Sequence, residues 1–408
     1  MVSRERLGGL FWRFWAACAL ANLGDGIRLA AFPLLAASLT DDPFAVAMVG
    51  VASALPWLLA GLVAGSLADR KGARLLLLGA DAARIVVLMA LVGALLTDTA
   101  TLALTVVAAF ALGIAETFRD TAAQTVIPRL VSPMLLERAN GRLVAGEVVG
   151  NEFVGPLVGA VLFSAGIALP FAVNSATLAI VVLLVLYLPA SILAARPNLN
   201  GEESSVGDGV RAGIGWLSRQ RVLRGLLVAA TLVAIADAAW FAIFVLYAQV
   251  QLEASAIGFG FYLAIGASGG LIGALFAERL IGARRHRAVL LGSIAVTAMM
   301  PALLLATPTT WGAIVVVMTT SAGFGVLNVA AVSVRQRLTP SRLLGRVTAA
   351  WSTVVYGAGA LGGLAGGAVA SNHGLQAPFV LSTALGIIAI TQWWATTRRG
   401  LDLVHPTA

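Results

Sequence analysis

Residues 65–74 read Gly65-Ser66-Leu67-Ala68-Asp69-Arg70-Lys71-Gly72-Ala73-Arg74, a knot of charge between two long apolar runs. Asp69, Arg70, Lys71 and Arg74 are too costly to place in lipid, so they fix this point at a membrane surface. Gly65 lets helix backbones approach closely, and Gly72 permits a tight reversal. The knot therefore reads as a short surface turn between two spanning helices.

The rest of the chain agrees. Apolar residues make up 59% of the 408 and charged residues 11%, against about 25% charged in a soluble domain. Mean hydropathy is +0.93. The composition is that of an integral membrane protein. The net charge of +8 is scattered through short loops and forms no basic patch, so it sets topology and calls for no nucleic-acid partner. Cys18 is the only cysteine, which excludes an intrachain disulfide. The first apolar run is long enough to span and lacks a small-residue cleavage site, so it is expected to be a signal anchor.

Runs of about 20 apolar residues, enough to cross a ~30 Å hydrocarbon core, recur along the chain. They predict twelve spans, at 12–38, 45–67, 74–96, 100–122, 140–166, 169–190, 224–249, 257–279, 287–306, 310–334, 345–370 and 376–397. Loop charge orients them. Arg4, Arg6, Arg70, Lys71, Arg129, Arg138, Arg219, Arg284, Arg337 and Arg398 fall on one side. The intervening loops carry Asp41, Asp42, Asp98 and Glu253 and no Lys or Arg. The alternation places both termini in the cytoplasm. Residues 191–222 form the one long polar stretch and divide the chain into bundles at 1–190 and 223–408. Its second part, Val210 to Leu223, reads as a basic amphipathic helix resting among headgroups through Trp216 and Leu217.

The halves echo one another. A shift of 208 positions sets Gly65 on Gly273, Asp120 on Asn328, Arg129 on Arg337, Arg138 on Arg346, Gly155 on Gly363 and Gly159 on Gly367. One constant offset linking charged loops at equivalent topological places implies parallel six-helix repeats, with a substrate site between them.

Twelve spans in two repeats, a central linker and the turn at 65–74 resemble the major facilitator superfamily over essentially the whole chain. Gly65, Leu67, Asp69, Arg70, Gly72 and Arg74 match that family's loop pattern Gly-x-Leu-x-Asp-Arg-x-Gly-x-basic residue by residue. Gly155, Pro156 and Gly159 in the fifth span are similar to the glycine–proline motif of its antiporters, with Asn151 and Ala160 in place of two expected glycines. The first span and the stretch leading into the turn resemble the drug- and siderophore-exporter branch. The resemblance implies a secondary transporter in a bacterial cytoplasmic membrane, working as a monomer without cofactor or metal. A small molecule and protons are its partners, and the lipid bilayer surrounds it. It also assigns the cytoplasmic gate to Gly65, Asp69, Arg70, Gly72 and Arg74 together with Arg119 and Asp120.

Ionisable residues inside spans are costly and mark function. Asp25, Glu152 and Asp237 fall near mid-membrane; Glu116, Asp120 and Glu147 lie nearer the cytoplasm. Asp25 and Arg28 share one face, as a structural ion pair or as a proton carrier beside its arginine. Asp237 has no basic residue within a turn, so it is either a proton carrier or a neutral core acid. Proton coupling is thus expected at Asp25, Glu116, Glu152 and Asp237. The cavity wall is expected at Asn22, Arg28, Glu147, Asn151, Trp240 and Asn328. Asp81 and Arg84, three apart in the third span, read as a structural pair. The family's basic residue in the middle of the fourth span has no counterpart in Leu102–Ile114. No phosphate-binding loop, nucleophile–base set or ligand-spaced histidine appears. Export of amphipathic or hydrophobic molecules is the leading expectation. A lipid translocator, an importer, and a non-transporting sensor on the same fold are the alternatives.

Overall fold

In the computed structural model, residues 7–193, 206–281, 286–340 and 343–398 are described. Helices account for nearly all of them: α1 (Gly9–Leu39), α2 (Pro43–Lys71), α3 (Ala73–Leu96), α4 (Leu102–Leu130), α5 (Leu136–Glu147), α6 (Gly155–Ala165), α7 (Leu169–Leu186), α8 (Ala190–Leu193), α9 (Val206–Arg219), α10 (Arg221–Phe241), α11 (Phe244–Val250), α12 (Ala256–Ile281), α13 (His286–Met299), α14 (Leu303–Ala306), α15 (Thr310–Leu338), α16 (Leu344–His373) and α17 (Ala377–Thr397). Eleven stretches among the described residues are long and apolar enough to cross a membrane. The additional helix α2 is 29 residues long, with an apolar described part at Pro43–Leu58.

Local chemistry sets the ends. The Asp42 carboxylate accepts from the Phe44 amide at 3.0 Å, and Pro43 fills the first helical position of α2. Gly72 adopts φ +81°, the left-handed turn that lets α3 start one residue after α2 stops. The Thr101 hydroxyl caps α4 by accepting from Leu104 N at 3.2 Å. Thr309 does the same for α15 through Gly312 N at 3.0 Å. Those caps are 208 positions apart, as are the starts of α4 and α15, both 29 residues long. At this one pair of helices the offset read in the sequence recurs in start, length and cap.

Three expected spans are interrupted. The fifth divides into α5, a π-helical segment Val148–Val154, and α6. Pro156 is the physical cause. It has no N–H to offer, and its ring would crowd the carbonyl of residue 152 in a regular helix. The wider turn relieves this, with Gly155 N–H donating to the carbonyl of Gly150. The seventh span breaks at Ala242–Ile243. The ninth carries a 3-10 turn, Met300–Ala302, at Pro301.

The chain forms two compact units. The first comprises Met1–Thr40, Ala52–Gly201 and Ala256–Ala264; the second comprises Asp41–Val51, Glu202–Ser255 and Ile265–Ala408. In unit 1, α1 is held by close backbone contact. A Cβ at Gly26 would sit 2.6 Å from the carbonyl oxygens of Gly150 and Asn151, and one at Gly159 would strike the Ile27 carbonyl. The glycine–proline motif is therefore the surface on which α1 rests. We expect Gly159→Val to lower the thermal unfolding midpoint in detergent, by an overpacking cost of about 1–3 kcal/mol. Gly79→Ala, where no atom lies within 4 Å of the added carbon, should not lower it.

Unit 2 has a core of Leu223, Leu226, Val233, Leu327, Val334, Val347 and Trp393. The amphipathic helix α9 belongs to it. Leu217 is buried in that core, Trp216 packs against it, and Gly213 is buried against the Arg346 carbonyl. Of the apolar face expected among headgroups, Leu217 is packed in protein, Trp216 is half-buried and Ile214 is exposed.

Candidate functional site

Three helices of unit 1 carry the same short pattern, an acid followed three residues later by an arginine. These are Asp25 and Arg28 on α1, Asp81 and Arg84 on α3, and Glu116 and Arg119 on α4. The spacing puts each pair on one helix face. The fold then closes the pairs into a ring in which each arginine reaches the acid of another helix. Arg28 Nη2 donates to Glu116 Oε2 at 2.7 Å, joining α1 to α4. Arg119 Nε lies 3.0 Å from Asp81 Oδ1, joining α4 to α3. Arg84 Nη2 donates to Asp25 Oδ1, joining α3 to α1. Contacts within helices reinforce the ring: Arg28 also donates to Asp25 at 2.6 Å, and Arg84 Nη1 lies 3.6 Å from Asp81.

Asp25, Arg28, Asp81, Arg84 and Arg119 are all buried. A charge so placed persists only when paired. Three arginines against Asp25, Asp81 and Glu116 balance. Asp120 is a seventh charge, held by Arg119 Nη1 at 3.2 Å, and among the described residues it leaves the cluster with one acid more than arginines. Access differs within the set. The side chains of Glu116 and Asp120 retain 20% and 27% exposure, so the open edge of the cluster is carboxylate.

The π-helical segment extends that edge. Its i→i+5 hydrogen bonding brings residues five apart onto one side of the helix, as Glu147 and Glu152 are. Both are exposed, and Glu147 lies within electrostatic reach of Asp120, Glu152 and Glu116. Asn151 in that segment and Asn22 on α1, whose backbone packs against Gly150, are half-buried. A row of accessible carboxylates thus faces outward from a buried, arginine-filled ring, an arrangement that can take up, hold and release protons.

Several expectations change. Arg28 stands in the ring and not on an open wall. Trp240, expected on the cavity wall, is buried in unit 2, with ring centroids 5.4 Å from Phe244 and 5.9 Å from Phe379. Asp237 is half-buried and Asn328 exposed, both in unit 2. Asp81 and Arg84, taken as a pair for structure alone, occupy two of the six places in the ring. Their signal was present, because two opposite charges in an apolar span must be answered by something. The side chains of residues 59–66 and 68–71 lie outside the described set, and with them the expected roles of Gly65, Asp69 and Arg70. Gly72 makes the turn, and Arg74 is half-buried at the start of α3. Among the described residues, no group of three or more His, Cys, Asp and Glu is arranged to hold a metal ion.

The model of the family described as transmembrane secretion effectors matches residues 8–399. The chain belongs to this family of the major facilitator superfamily. A curated relative, the uncharacterized MFS-type transporter y4rN of Sinorhizobium fredii, is 29% identical over 274 residues. The matched part spans 65% of this chain and 65% of that relative's length. Among solved structures, a mutant of the nucleoside transporter NupG superposes with a TM-score of 0.78 at 13% identity, covering 95% of this chain and 100% of that one. A bacterial homologue of the iron transporter ferroportin gives 0.74 at 15%, covering 96% and 100%. A bacterial homologue of the human lysosomal transporter Spinster gives 0.72 at 16%, covering 98% of each. At such identities the likeness is one of fold.

Proposed function

We propose that this facilitator is a secondary active transporter, a proton-coupled antiporter that exports small amphipathic or hydrophobic molecules by alternating access. In this reading it has twelve spans, both termini are cytoplasmic, and it lies in a bacterial cytoplasmic membrane. The observation that carries the reading is the charge cluster of unit 1, balanced three against three with Asp120 in excess. An unbalanced charge at the edge of a buried cluster is unfavourable, and one proton removes it. Binding and release of that proton changes the relative cost of two arrangements of the cluster, which is what a coupling site must do.

Asp120 is the natural exchange group. It is the acid beyond the balance and is partly accessible. Protonated, it leaves Arg119 to Asp81; ionised, it competes with Asp81 for the same guanidinium. Asp25 is poorly suited to the task, because protonating it would leave both Arg28 and Arg84 short of a partner. Glu116, Glu147 and Glu152 line the accessible edge and would pass protons to Asp120. Asp237 is a separate candidate in unit 2. The glycine–proline motif supports antiport, and the acid-lined edge beside exposed apolar helix surface suits amphipathic, drug- or siderophore-like substrates.

The test is proton release from detergent-solubilised protein on addition of a panel of amphipathic compounds, read with a pH dye in weak buffer. A compound that binds should release protons from the wild type. Saturable binding with no proton release at any pH between 6 and 8 would overturn the coupling assignment.

A further inference from the structure

We propose that unit 2 carries an oxyanion site, for a phosphate-type group, at the end of α15 beside Trp351 of α16. Arg335 lies in the last turn of α15 and is only 7% exposed. No acid pairs with it among the described residues. Its guanidinium lies 5.0 Å from the ring centroid of Trp351 on α16, and its Nε has no hydrogen-bond partner. One turn on, Thr339 is 6% exposed, and its hydroxyl is likewise unpartnered. A cation–π contact offsets only part of the cost of burying a guanidinium. An oxyanion would supply the remainder, and two unpartnered donors one helical turn apart are what it would bind.

The internal repeat makes the site stand out. Subtracting 208 from Arg335, Thr339 and Trp351 gives Ile127, Val131 and Leu143. Those three pack together in unit 1 around the apolar cluster of Leu7, Phe11 and Ala139. The positions 208 residues earlier thus carry three partly buried apolar side chains, where unit 2 carries a buried cation, an unpartnered hydroxyl and an indole. A packing role alone is met by the apolar set, so the polar set needs another reason. Around Arg335, the ring of Trp351 is uncharged, and Tyr356 is the titratable group that acts on it electrostatically.

Two sources supply this chemistry, an anionic phospholipid headgroup from the adjoining leaflet and a free oxyanion. Full-length protein would be tested in detergent by thermal unfolding and native mass spectrometry, with phosphatidylglycerol, phosphatidylcholine, inorganic phosphate and chloride as separate additions. The wild type should be stabilised by phosphatidylglycerol or by inorganic phosphate, and not by phosphatidylcholine or chloride. Stabilisation by the lipid alone assigns a headgroup; stabilisation by phosphate as well assigns a general oxyanion site. Arg335→Gln should weaken that binding at least about tenfold. Thr339→Val, which keeps the shape and removes only the hydroxyl, should weaken it less and serves if Arg335→Gln does not fold. Equal binding by wild type and both variants, or no stabilisation of wild type by either anion, would overturn the proposal.

Discussion

Replacing Arg84 by Gln will destabilise the protein by about 3–5 kcal/mol, the cost of leaving buried charges without their partner. Arg84 is fully buried and serves two carboxylates, Asp25 on α1 and Asp81 on α3. Its loss leaves four acids against two arginines in the cluster and removes the link between α1 and α3. The double variant Arg84→Gln with Asp25→Asn should be less damaged than the sum of the single changes, with an interaction of about 0.5–3 kcal/mol. Thermal unfolding in detergent, monitored by loss of monodisperse protein, measures all four corners of that cycle. An Arg84→Gln protein that melts with the wild type would mean that the ring contributes no net stability.

The second large effect should be functional and leave the fold intact. Asp120→Asn removes the excess charge and keeps the three-against-three balance, so its stability should stay within about 1 kcal/mol of wild type, as for a partly exposed ion pair. Transport driven by a pH gradient into proteoliposomes should fall by more than about tenfold, because the cluster no longer has a proton to exchange. Exchange of substrate without a gradient should persist. The compound that releases protons from the wild type is the one to use. Glu116→Gln makes the contrast, since it deprives Arg28 of its partner on α4 and should lose stability as well as coupling. Gradient-driven transport that survives in Asp120→Asn would remove Asp120 from the coupling reaction.

These two variants separate what could be read along the chain from what could not. Composition places the protein in a membrane, and the constant offset of 208 announces the repeats. Both were legible because they depend on length, polarity and loop charge, which are local or additive along the chain. The helices α4 and α15 begin 208 residues apart for that reason, and each is capped by a threonine. The interruption at Val148–Val154 was half legible. Pro156 announces a kink, but the choice of a π-helical turn depends on how Gly150 and Gly155 meet Gly26 on α1.

The ring was visible only in fragments. Asp25 with Arg28, Asp81 with Arg84, and Glu116 with Arg119 each satisfy the helical spacing on their own, so spacing alone does not show which pairs meet across helices. In the folded chain they open toward one another, because each buried guanidinium has more donors than one carboxylate can accept. Trp240, three residues from Asp237, could be read from spacing as a ligand wall or as core; in the fold its ring packs against Phe244 and Phe379.

The turn at 65–74 and the acids set in apolar runs were enough to fix a helical membrane protein of the facilitator type. Hydrophobic transfer and loop charge act along the chain and leave their pattern in the sequence. Which arginine answers which acid, and so which carboxylate is left over at Asp120, was decided only in three dimensions. That depends on how α1, α3 and α4 pack so that each guanidinium meets a carboxylate of another helix, which no local spacing encodes.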